Sequence, residues 1–190
     1  GKWLRESFLI FGGIAVAVLL ASWNYVAAAS RSALAWPPLA YLHAHLSGSF
    51  GLGLAIGAGL AFVVVLVVPV IVLRRQLTEV PAIGDIGSLL PRTRGELKYG
   101  VGLSINAGVI EELLFRLGMP ALLFGITGNG VLAFAVASVL FGLLHIYQKV
   151  WGVLGATVLG VLFSLLYLLS GSIWIVMIVH ALIDLRSLVL

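Results

Sequence analysis

The feature that most constrains this chain is a group of three charged residues inside an apolar stretch near its middle. Glu111, Glu112 and Arg116 lie between residues 101–110 and 117–124, neither of which contains a charged side chain. A charge at bilayer depth costs about 2.5–3.5 kcal/mol on insertion scales, so residues of this kind usually serve a function. The sequence therefore predicts an acidic site inside a membrane protein.

The composition supports a membrane setting for that site. Hydrophobic residues make up 62% of the 190 residues and charged residues only 9%, and the mean hydropathy is +1.19. A soluble domain carries about 25% charged residues, which this chain lacks. We expect an all-α integral membrane protein, a polytopic bundle of about six transmembrane helices in a single domain of residues 1–190. The chain has no cysteine, which excludes thiolate catalysis and cysteine-based zinc sites.

Six apolar segments are predicted as the membrane spans. The first competes with a cleaved signal peptide, and we interpret it as a span. The third either continues to Phe124 or breaks at Pro120. The polar stretch 74–98 is expected to lie along the membrane surface. The predicted spans are approximately residues 8–29, 48–73, 97–124, 131–147, 151–169 and 173–190.

The distribution of cations predicts the orientation. With a cytoplasmic N-terminus, nine cations fall on the inside and only Arg31 on the outside, as the positive-inside rule requires. This bias explains the net charge of +4, so no nucleic-acid partner is expected. The site would face the cytoplasmic side of a bacterial or archaeal cell membrane. The nine cations are Lys2, Arg5, Arg74, Arg75, Arg92, Arg94, Lys98, Lys149 and Arg186.

Helical spacing distinguishes the two adjacent carboxylates. Glu112 and Arg116 are four residues apart with the acid first, the favourable orientation for an ion pair within a helix. Glu111 points about 100° away from Glu112. We therefore expect Arg116 to neutralise and position Glu112, which leaves Glu111 available for other chemistry.

Two histidines in later apolar runs have partners at the same spacing. Phe141 precedes His145 by four residues and could place an aromatic wall beside the imidazole. His180 precedes Asp184 by four residues and could share a polar helix face with it. Spans three, four and six would have to pack together for these residues to meet Glu111.

These motifs resemble those of the CPBP family of intramembrane proteases, which comprises CAAX prenyl proteases of type 2 and Abi-like relatives linked to bacteriocin processing. The family motifs are Glu-Glu-x-x-x-Arg, Phe-x-x-x-His and His-x-x-x-Asn/Asp, and all three occur here in order within a core of about residues 97–190. Asp184 stands where characterised CAAX enzymes carry Asn. The matching residues are Glu111, Glu112, Arg116, Phe141, His145, His180 and Asp184.

The resemblance implies an endopeptidase that hydrolyses a peptide bond of a membrane-associated protein substrate. Glu111 and His145 would bind and deprotonate a water, since burial makes a carboxylate a stronger base. His180, helped by Asp184, would stabilise the oxyanion. The supporting residues would be Glu112, Arg116 and Phe141.

Other functions are compatible with the same residues. Zinc could be held by Glu111, His145 and His180, although we favour a mechanism without a cofactor. There is no His-Glu-x-x-His sequence of the usual zinc proteases. A proton-coupled transporter could use the cluster as a relay, and a scaffold could bind membrane partners without cleaving them. The sequence does not reveal the substrate.

Overall fold

A computed structural model describes residues 2–73 and 95–189 of the chain. Within these ranges the protein is helical and contains no strand, which confirms the predicted all-α class. Short 3-10 turns at Trp23–Tyr25 and Ile146–Gln148 interrupt the helices. The helices are α1 (Lys2–Ser22), α2 (Val26–Leu34), α3 (Pro37–Leu46), α4 (Ser49–Leu73), α5 (Leu97–Glu112), α6 (Met119–Thr127), α7 (Gly130–Leu143), α8 (Lys149–Ser170) and α9 (Ile173–Val189).

Two helical stretches within the described ranges are long and apolar enough to cross a membrane. They are Phe8–Leu34 and Ile146–Ser170. A third span results if Pro37–Leu46 and Gly51–Val65, which meet at 89°, count as one broken span. Helix α7, with 14 residues, is shorter than a full crossing. The chain thus carries the apolar helices of an integral membrane protein, while the number of six spans stays a prediction.

The structure differs from the predicted segments between the first two spans. The sequence was expected to form an outer loop there, but α3 occupies Pro37–Leu46. Pro37 begins this helix after an extended Trp36, a position where the fixed φ of proline suits a helix start. The polar stretch predicted to lie on the membrane surface falls mostly on residues 74–94, outside the described residues, as do four of the nine cations used to predict orientation.

The helix that carries the two glutamates continues past Pro120, but it is not a regular α-helix just before that residue. The chain continues from α5 through a π-helical segment, Leu113–Gly118, directly into α6. A proline inside a helix has no N–H to donate and clashes with the carbonyl four residues earlier, here that of Arg116. Widening the helix by one residue per turn accommodates that clash, and such π segments are frequent at functional sites.

Close contacts at glycines bring the motif-bearing helices together. Helix α5 packs along α9, and α7 packs along α8. At Gly108 an added Cβ would lie 2.9 Å from both the Met177 carbonyl oxygen and the Ala181 Cβ of α9. At Gly142 a Cβ would overlap the Thr157 side chain of α8. Small residues therefore set the helix separations on which the site depends.

Gly108 offers a direct test of this packing. We expect Gly108→Leu to lower the free energy of unfolding by about 2–3 kcal/mol, because overpacking a close helix contact forces the backbones apart. Thermal unfolding in detergent measures the effect. Gly13→Leu is the matched control, since nothing lies within 4 Å of a Cβ at Gly13. Equal melting of the two variants would contradict the close α5–α9 contact.

Candidate active site

The carboxylate of Glu112, at the end of α5, is the centre of the polar cluster. Its side chain is fully buried. One oxygen, Oε1, lies 2.6 Å from Nδ1 of His180 on α9. The other, Oε2, lies 3.0 Å from Nε of Arg116 in the π segment. Glu112 therefore joins the first and third motifs, and the predicted pair with Arg116 is confirmed.

Arg116 is buried beneath two aromatic rings. Its guanidinium lies 4.6 Å from the centre of Phe141 and 5.4 Å from that of Phe163. Its contact with Glu112 is close but poorly aligned for a hydrogen bond, and within the described residues its terminal nitrogens have no hydrogen-bond partner. Cation–π attraction is strongest for desolvated cations, so the two rings compensate part of the lost hydration.

The two imidazole nitrogens of His180 face different carboxylates: Nδ1 faces Glu112 and Nε2 faces Asp184. Because a carboxylate can only accept, Nδ1–H donates to Glu112. Nε2 lies 3.6 Å from Oδ2 of Asp184, too far for a hydrogen bond. The rings of Phe163 and Phe141 lie 5.0 and 5.9 Å from the imidazole. The imidazole is thus held in one orientation, with Nε2 on the side of Asp184.

His145 lies just beyond the end of α7, whereas the sequence predicted it within that helix. Its Nδ1 lies 2.9 Å from the Phe141 carbonyl oxygen, which can only accept a hydrogen bond. In the neutral imidazole the proton is therefore on Nδ1, and Nε2 carries the free lone pair. The Phe141 ring lies 4.9 Å from that of His145, so the predicted aromatic neighbour is present.

Glu111 differs from Glu112 in exposure and in its surroundings. It is partly exposed, whereas Glu112 is fully buried. Glu111 is thus the less buried residue of the adjacent pair. Its chemical role stays a prediction.

The charges of the three motifs lie close enough to act on one another. His180 on α9 contacts Glu112 of α5, and the Phe141 ring of α7 lies 5.9 Å from that of His180 and 4.9 Å from that of His145, so α5, α9 and the end of α7 contribute to a single cluster. Zinc ligation would require Glu111, His145 and His180 to converge on one point. Within residues 2–73 and 95–189, no three His, Asp or Glu side chains are arranged to hold a metal ion.

Several contacts were missed by the sequence reasoning. The bond between Glu112 and His180 joins residues 68 positions apart, and helical spacing carries no information on such pairs. Phe163 on α8 belongs to no motif and looked like an ordinary apolar residue. Tyr147 stacks on His145 at 6.0 Å, and Gln148 donates a hydrogen bond to its hydroxyl. The polar pair Tyr147-Gln148 at the end of an apolar run was the only signal for that contact.

Comparison with known proteins identifies the class of protein that this site belongs to. Residues 94–186 match the Rce1-like family, which is described as type II CAAX prenyl endopeptidase Rce1-like. A search of curated proteins and a search of solved structures found no significant match. The match covers all three motifs and confirms the resemblance predicted from them. The segment that carries the site is thus similar to the Rce1-like type II CAAX prenyl endopeptidases.

The buried pair of Glu112 and Arg116 makes a specific prediction about stability. Arg116→Ala should destabilise the protein by about 3–5 kcal/mol, because it leaves the Glu112 carboxylate buried without its cation. The melting temperature in detergent should fall clearly below that of the wild type.

A double variant is the control for this prediction. Arg116→Met combined with Glu112→Gln removes both charges and should melt above Arg116→Ala alone. Unchanged melting of Arg116→Ala, accompanied by lost activity, would mean that the arginine contacts substrate and does not stabilise the fold.

Proposed function

We propose that this protein is an intramembrane endopeptidase that hydrolyses a peptide bond of a membrane-associated, prenylated protein substrate, and that Glu111 activates the water. The unequal surroundings of the two adjacent carboxylates carry this proposal. Glu112 is fully buried and in contact with both Arg116 and His180. Glu111 is less buried than Glu112, so we assign it as the carboxylate that water and substrate reach.

In the first step, Glu111 and His145 bind one water between them. His145 accepts a hydrogen bond from the water through Nε2, because its Nδ1–H is already donated to the Phe141 carbonyl. Glu111 accepts the other water proton as general base while the water oxygen attacks the scissile carbonyl carbon. The new C–O bond forms as the carbonyl π electrons move to the oxygen, which becomes an oxyanion.

In the second step, His180 stabilises that oxyanion. Its Nδ1–H is held by Glu112, so His180 acts as an imidazolium, protonated on both nitrogens, and donates Nε2–H to the oxyanion. A well-placed oxyanion donor contributes about 3–4 kcal/mol in other hydrolases. The C–N bond then breaks, and Glu111 returns its proton to the leaving amine nitrogen. Loss of this proton restores the carboxylate of Glu111. Asp184, whose Oδ2 lies 3.6 Å from Nε2 of His180, positions the imidazole.

The proposed membrane arrangement follows the sequence prediction. Six spans with a cytoplasmic N-terminus would place His145, after the end of α7, near the cytoplasmic surface. Trp36, Trp151 and Trp174 are exposed and lie at or just before the first residues of α3, α8 and α9, positions that would suit interfacial tryptophans. The substrate would then enter from the cytoplasmic side of the bilayer.

The two alternative functions have weaker support. A proton-coupled transporter would use Glu111, His145 and His180 as a relay, but the family match favours a protease. A scaffold without turnover would keep the same folded cluster. Cleavage by the purified protein distinguishes the protease from both alternatives.

Paired variants of the two glutamates test the assignment of the base. Glu111→Gln should abolish cleavage of a prenylated CAAX peptide, by at least about 10³-fold, while melting stays near wild type, because this side chain does not hold the fold together. Glu112→Gln should lower both the melting temperature and activity, since it weakens the contacts to Arg116 and His180. If Glu111→Gln retains activity and Glu112→Gln loses it without destabilisation, the roles are reversed.

Metal content tests the proposed mechanism independently. Protein purified without added metal should contain far less than one equivalent of zinc by elemental analysis. It should also cleave peptide in the presence of a strong chelator, because Glu111 and His145 suffice to activate water. Stoichiometric zinc, with activity lost on chelation and restored by added zinc, would overturn the glutamate mechanism and leave the protease function intact.

A further inference from the structure

Tyr147 belongs to none of the three motifs, yet it lies at the open side of the site. Its ring stacks on that of His145 with 6.0 Å between centres and 27° between planes. The side chain is 54% exposed, so the ring covers His145 on one face and meets the surroundings on the other.

Gln148 determines what the hydroxyl of Tyr147 can do. The Gln148 amide Nε2 donates a hydrogen bond of 2.9 Å to the phenol oxygen. The oxygen therefore serves as acceptor in that contact, and the phenol proton is the group it can offer to another acceptor. Accepting one hydrogen bond polarises a hydroxyl and strengthens its own donation.

The position of this pair is set by the turn between α7 and α8. The His145 amide donates to the Gly142 carbonyl at 2.9 Å, and the Gln148 amide donates to the His145 carbonyl at 2.8 Å. A Cβ at Gly152 would overlap the Gln148 side chain, so the glycine leaves the room that this side chain needs. Lys149 takes a left-handed φ of 63°, which starts α8 directly after the turn.

We propose that Tyr147, positioned by Gln148, is a substrate-binding residue that donates its hydroxyl proton to a backbone carbonyl of the bound peptide. We place the bound peptide across the exposed face of the Tyr147 ring, beside His145. Its backbone carbonyls need donors there, since an unpaired carbonyl in a dry site is costly. Tyr147 provides such a donor next to the reacting groups. This inference rests on the proposed function, because it assumes a peptide in the site.

The test uses full-length protein in lipid nanodiscs and a fluorescent prenylated peptide ending in a CAAX sequence. Tyr147→Phe keeps the ring on His145 and removes only the hydroxyl. We expect KM to rise about tenfold and kcat to change less than about twofold, since one hydrogen bond made equally in ground and transition states is lost. Tyr41→Phe, at an exposed tyrosine on α3 outside the site, is the matched control and should leave both constants unchanged.

Binding measured without turnover separates this inference from the proposed function. In the Glu111→Gln background, adding Tyr147→Phe should weaken peptide binding about tenfold by fluorescence anisotropy. If the wild type binds the peptide but does not cleave it, the proposed function fails and the binding comparison still tests Tyr147. Unchanged affinity, or a loss in kcat with KM unaltered, would overturn the substrate-binding role.

A double-mutant cycle tests the part assigned to Gln148. Gln148→Ala should raise KM about threefold to fivefold with kcat preserved, because the hydroxyl loses its positioning partner. Combined with Tyr147→Phe it should add no further rise, since Gln148 acts through that hydroxyl. Additive effects, or equal losses of melting temperature in both variants, would show that Gln148 supports the turn alone and does not position Tyr147.

Discussion

The fold and the site both depend on keeping one carboxylate charged inside an apolar bundle. Glu112 is fully buried, and it survives there because Arg116 supplies a cation and His180 donates a hydrogen bond. A buried charge without these contacts would cost several kcal/mol. The same two contacts tie the π segment and α9 to α5. Glu112, whose burial costs free energy, is therefore also the residue that connects the helices of the site.

The aromatic residues explain how the cation in this cluster is tolerated. Phe141 and Phe163 cover the guanidinium of Arg116 and also lie beside the imidazole of His180. They offer their π faces to the buried cation. Phe141 thus contacts more than His145: its carbonyl accepts a hydrogen bond from His145, and its ring lies against Arg116.

Much of the fold and part of the site could be predicted from the sequence because they depend on local patterns. Apolar composition indicated helices, and spacing of four residues indicated the contact between Glu112 and Arg116. The helix α3 was missed because its ten residues, which include two prolines and two histidines, form a short mixed segment between two longer apolar runs. The bond between Glu112 and His180 depends on how closely α5 approaches α9, and that distance is set by packing at Gly108.

The π segment after Glu112 has a consequence for how one continuous helix serves two neighbours. A π turn holds one residue more than an α turn, so the helix leaves it rotated relative to the way it entered. Before the segment, Glu112 is directed to α9. At its last residue, the Gly118 carbonyl accepts a hydrogen bond of 3.1 Å from Ser22 at the end of α1. The extra residue therefore rotates the helix face that contacts α1 relative to the helix face that carries Glu112.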